Sequence, residues 1–173
     1  MGKIQFRNEF VRFLFESIVE YDYPNVNLYN FLLTVEIADD YISSMDGEVI
    51  YNNELIAACY HIASAINSQD EDLKTFCSAF EASFKKASNL EKCVLKNNNY
   101  RIPRNNFISH WAWDDDVFQN YLKTPCKYLL DFVYDLCLKQ TYNDDKLKSK
   151  EMKKSVMDKI GDYLILHPFE MDD

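Results

Sequence analysis

Apolar residues recur along this chain at three- and four-residue steps, and each such run predicts a helix with a buried face. Over positions 6–19 the stripe consists of Phe6, Phe10, Val11, Phe13, Leu14, Phe15, Ile18 and Val19, and Pro24 closes it. A second helix is expected after a cap at Asn25 or Asn27. It runs through LYNFLLTVEIADDYISSM, with Leu28, Phe31, Leu32, Val35, Ile37, Tyr41 and Ile42 apolar, and Asp46-Gly47 marks the turn that ends it. The third run, NELIAACYHIASAI, is apolar around most of its circumference and rich in alanine. That pattern predicts a central helix which its neighbours approach closely. After the polar NSQDED break, Leu73, Phe76, Cys77 and Phe80 give a shorter one-sided helix. The segment NLEKCVLKNNNYRIPRNNF, residues 89–107, predicts a fifth. Glu91 stands at its start, Ala87, Leu90, Cys93 and Val94 turn inward, and Asn97, Asn98 and Asn99 stop it before Pro103.

Three further runs follow: FISHWAWDDDVFQNYLK, CKYLLDFVYDLCLK after Pro125, and a last one over about 150–166. The expected architecture is all-α. Five helices with a buried central one fill residues 1–110, and two or three more over 111–173 extend the same domain. Composition agrees, since 173 residues support one core, and only three glycines and four prolines leave little turn chemistry for a sheet-rich fold.

Charge and chemistry narrow the function. The net charge of −9 repels a phosphate backbone, and the lysines at 146, 148, 150, 153 and 154, broken by Glu151, read as a solvated face, so no nucleic-acid partner is expected. Cys59, Cys77, Cys93, Cys126 and Cys137 are odd in number and widely spaced, which suits buried free thiols in a reducing compartment. There is no signal peptide or membrane-length apolar run, and Phe6 stands where an acylation signal wants Ser or Thr. The expectation is an intracellular protein, cytoplasmic or nuclear, with no membrane partner. No phosphate loop, nucleophile elbow or HExxH pattern occurs, and His61, His110 and His167 are far apart. His61 on the central helix reads as a hydrogen-bonded structural histidine. The acidic runs at Asp39-Asp40 and Asp114–Asp116 read as solvated faces, without calcium-loop spacing. Trp111 and Trp113, two apart, point to opposite sides of a helix and make no aromatic box. No enzyme, cofactor or metal is implied.

The order and content of the first five helices resemble the cyclin box, the five-helix module that activates cyclin-dependent kinases. VRFLFESIV is similar to the family's first helix, with Arg12 in the place of its arginine, and LYNFLLTVEIADDYISSM to the second, with its acidic-aromatic signature and serine-rich end. ELIAACYHIASAI resembles the Ala-rich central helix, ending in the Ala-Ser pair at Ala63 and Ser64. The fifth segment resembles the family's glutamate, Val-Leu-Lys core and aromatic-x-aliphatic strip before a proline. The resemblance implies a kinase-binding face of Glu91, Leu95, Tyr100 and Ile102 with Ile62, Ala65 and Ile66, and a substrate-docking patch at Val11, Arg12, Phe15 and Ile18. Two departures stand out. The family's lysine after the Ala-Ser pair is Ala65 here, and loss of one member of such an interfacial pair costs about 2–5 kcal/mol. The arginine of the second-helix signature is Asp40, which removes the expected basic member of an internal ion pair.

The function so implied is a non-catalytic cyclin-like regulator or adaptor of a cyclin-dependent-type kinase, in the compact single-box form. Its abundant asparagine, tyrosine and lysine suit an AT-rich genome, whether that of a divergent cyclin or of a virus- or parasite-encoded mimic. The alternative is a helical interaction module for a non-kinase protein, of the transcription-factor cyclin-fold or viral Bcl-2-like kind.

Overall fold

The structure is a computed structural model; it describes residues 3–22, 28–45, 51–66 and 71–97, together with Asn99, Tyr134 and Asp158. Among the described residues it holds five helices and no strand: α1 (Lys3–Asp22), α2 (Leu28–Ser44), α3 (Asn53–Ile66), α4 (Leu73–Ala79) and α5 (Phe84–Asn97). The protein is all-α in this part, as the periodicity predicts.

Helix α3 is the hub, packed against each of the other four. Leu55 through Tyr60 are all buried, as are Ile62, Ala63 and Ser64. Ala57, Ala58 and Ala63 have no exposed surface, so small side chains face the neighbouring helices where their backbones come closest. Asn52 caps it, its Oδ1 accepting the Leu55 amide at 2.8 Å. Helix α1 buries Phe10, Val11, Leu14 and Ile18, one stripe of the predicted face.

Helix α2 is buried beyond its apolar positions. Every residue from Asn30 to Asp39 is buried, four polar ones included: Asn30, Thr34, Glu36 and Asp39. Buried polar groups are tolerated when they are bonded. Asn30 Nδ2 donates to Ser64 Oγ on α3 at 3.3 Å, and Thr34 Oγ1 donates to the Asn30 carbonyl at 2.6 Å.

Asp72 caps α4, accepting the Thr75 amide at 3.0 Å. That bond first, and the Thr75 hydroxyl second, hold its carboxyl below the usual carboxylate value. The helix ends in a left-handed turn without glycine. Glu81 has φ 54°, and the Ala82 amide reaches back to the Cys77 carbonyl at 2.8 Å. Asn99 likewise sits at φ 52° just past α5, its amide bonded to the Lys96 carbonyl at 3.1 Å, which is the stop expected of an asparagine run.

Two expectations for α5 are corrected. The helix begins at Phe84, not near Glu91. Ser83 opens it, its carbonyl accepting the Ala87 amide at 2.9 Å, so Glu91 lies in mid-helix and caps nothing. Ala87 and Val94 are buried and Leu90 half-buried, but Cys93 is exposed, because its position on the helix turns it away from α3. Cys59 and Cys77 are buried free thiols as expected, and Cys126 and Cys137 lie outside the described residues.

Candidate functional site

Helices α3 and α5 pack side by side, and one polar contact joins them across the surface end of their interface. His61 Nδ1 lies 2.9 Å from Glu91 Oε1 and 3.0 Å from Oε2. A carboxylate only accepts, so the Nδ1 N–H donates to both oxygens. The side chains retain 25% and 17% exposure, which leaves Glu91 fixed in direction yet reachable from solvent. The Phe76 ring, its centroid 6.0 Å from that of the imidazole, closes the inner side. His61 is thus a structural, hydrogen-bonded histidine. Its partner, 30 positions away, could not be read from sequence.

The other members of the expected kinase-binding face fall in different places. Ile62 is buried in the core, Ala65 and Ile66 are exposed at the end of α3, and Leu95 is half-buried one turn beyond Glu91. Tyr100 and Ile102 lie outside the described residues. Exposed Ala65 and Ile66 with partly buried Glu91 and Leu95 therefore supply what the described part of this face offers to a partner. His61 precedes Ala65 by four residues, on the same side of α3.

The expected docking patch does not form one surface. Val11 and Ile18 are core residues, 0% and 2% exposed, because they belong to the stripe that α1 turns toward α2 and α3. Phe15 is half-buried and stacks on Tyr134 at 4.5 Å, and only Arg12 is exposed. A cleft of about 300 Å³ does open beside α1, but on the adjoining face, where Phe6, Phe10 and Phe13 meet Tyr51 and Ile56 with Glu9 and Arg12 among the lining residues. The sequence signal that could have found it is the i, i+4, i+7 phenylalanine spacing at 6, 10 and 13.

Beneath the cleft lies a buried charge network. Arg7 Nε and Nη2 donate to Asp39 Oδ1 and Oδ2 at 3.0 and 2.9 Å, and Tyr51 Oη donates to Oδ1 at 2.7 Å. The two charged side chains are 6% and 8% exposed. This corrects the expected loss of an internal ion pair and the expected solvated face at Asp39. The basic member comes from α1 and is Arg7. The network ties α1, α2 and the residues leading into α3 together. Burial pushes the Cys59 thiol far up, reinforced by the charges of Asp39 and then Glu91, so it stays protonated and inert.

Among the described residues no group of three His, Cys, Asp or Glu side chains gathers to hold a metal ion, and no helix is long and apolar enough to cross a membrane. Compared with protein-family models, curated proteins and solved structures, the chain matches none.

Proposed function

We propose that this protein is a non-catalytic, cyclin-like regulator or adaptor that binds a cyclin-dependent-type kinase through the α3–α5 face. The observation that carries the reading is the alanine-rich α3, packed against the four other helices among the described residues and linked to α5 by His61 and Glu91. A rigid central rod that fixes a neighbour's carboxylate beside an exposed isoleucine is suited to gripping and orienting a helix of another protein. Ala65 brings no cation to that face, and His61, one turn earlier, supplies the nitrogen that holds Glu91 instead. Packing against a mobile kinase helix shifts the kinase toward the arrangement in which its active-site ion pair forms. The cleft at Phe6, Phe10 and Phe13 is the place for a second contact, with a substrate segment.

The test is affinity purification from cell extract with mass spectrometry, followed by binding of the recovered kinase to wild type, Leu95→Asp and Glu91→Ala. A kinase whose binding falls at least about tenfold in either variant supports the proposal. Recovery of no kinase, or variants that bind as wild type does, overturns it.

A further inference from the structure

Although the chain is strongly acidic overall, α5 presents a basic stripe. Lys85, Lys92 and Lys96 are all exposed, and at 100° per residue their spacings of seven and four place them within about 40° of one another. Helix α1 presents the acidic counterpart. Glu9, Glu16 and Glu20 are exposed and carry the same two spacings in the same order. In each helix the steps along the axis are about 10.5 and 6 Å. None of the six is ion-paired among the described residues. Glu91, the acidic residue within α5, faces elsewhere and is engaged by His61.

We propose that these stripes are the two halves of a self-association surface, with α5 of one copy docking alongside α1 of a second. The matched order selects the direction. In a parallel arrangement Glu9 meets Lys85, Glu16 meets Lys92 and Glu20 meets Lys96, whereas an antiparallel arrangement aligns only two pairs. Arg12, three residues after Glu9 and four before Glu16, borders the acidic stripe about 40° from Glu16 and repels lysines displaced toward it. Donor and acceptor are different surfaces, so the contact is head-to-tail and leaves a free stripe at each end, giving chains or a closed ring rather than a twofold dimer. Exposed pairs are individually weak and screened by salt. The association is therefore low in affinity and dependent on ionic strength. It stands independently of the kinase reading.

Sedimentation velocity on the full chain tests it, over a concentration series at about 20 mM and about 500 mM salt, where the screening length falls from tens of ångströms to a few. Two variants reverse one stripe each: Glu9→Lys, Glu16→Lys, Glu20→Lys, and Lys85→Glu, Lys92→Glu, Lys96→Glu. A third combines all six changes and keeps the wild-type net charge. All six side chains are exposed, circular dichroism checks helicity, and Glu→Gln and Lys→Gln versions replace any variant that misfolds. Expected are wild-type oligomers at low salt that dissociate at high salt, loss of association in each single-stripe variant, and recovery both in their equimolar mixture and in the six-fold variant. A wild type monomeric throughout the series overturns the proposal. So does a single-stripe variant that still associates, or a mixture and six-fold variant that stay monomeric.

Discussion

Replacing Arg7 with methionine removes the two donors that hold Asp39 and leaves a carboxylate, 8% exposed, with the Tyr51 hydroxyl 2.7 Å away. An ion stranded at that depth costs about 3–5 kcal/mol. Against a domain stability of roughly 5–15 kcal/mol this is a large fraction, equal to a fall in Tm of about 6–20 °C for a chain of this size. Asp39→Leu takes from the guanidinium the carboxylate that it grips with two nitrogens, and is expected to cost a similar amount. The double replacement removes both ions, and taking from Tyr51 its Asp39 acceptor contributes a penalty of about 1–3 kcal/mol. Adding Tyr51→Phe relieves that penalty and preserves the ring edge packed against Phe10 at 4.9 Å. The triple variant should therefore return to within about 1–2 kcal/mol of wild type. Urea unfolding followed by circular dichroism measures each step. If each single change costs less than about 1 kcal/mol, or the triple is as unstable as the sum of the singles, the network does not hold α1 to α2 in the way described.

Two further predictions concern stability. Because burial raises the Cys59 thiol above its ordinary value of 9.0, the unfolded chain gives up that proton first. Stability is complete below that value and falls as pH rises above it, with a slope of about 1.4 kcal/mol per pH unit from this group, and Cys59→Ala should flatten the alkaline limb of a denaturation series relative to wild type. Glu81→Gly relieves the left-handed turn after α4 and should raise stability by about 0.5–1 kcal/mol; an unchanged or lower urea midpoint would contradict the strain assigned to that residue.

Helix α3 was legible down to its ends, because a run of apolar and small residues bounded by Asn53 and Ile66 admits little else. Helix α2 was legible as a helix but not as a buried one. Asn30, Thr34, Glu36 and Asp39 interrupt its apolar pattern, and Ser64 and Arg7, which bond Asn30 and Asp39, lie 34 and 32 positions away. The start of α5 was missed because FKKAS has a single buried residue, Ala87. The sequence reading singled out Glu91, but what positions it did not show, since the link to His61 exists only once α3 and α5 are side by side. Val11 and Ile18 were misplaced for a related reason: an apolar stripe does not say which of its members seal the core and which border a cleft.

The enclosure of α2 bears on how the chain is made. Its ten consecutive buried residues leave the ribosome well before the last turn of α5 exists to shelter them, a lag of about 3–12 s at ordinary rates of translation. For that interval a nascent helix with Phe31, Leu32, Leu33 and, past Thr34, Val35 exposes the apolar surface that the later helices cover.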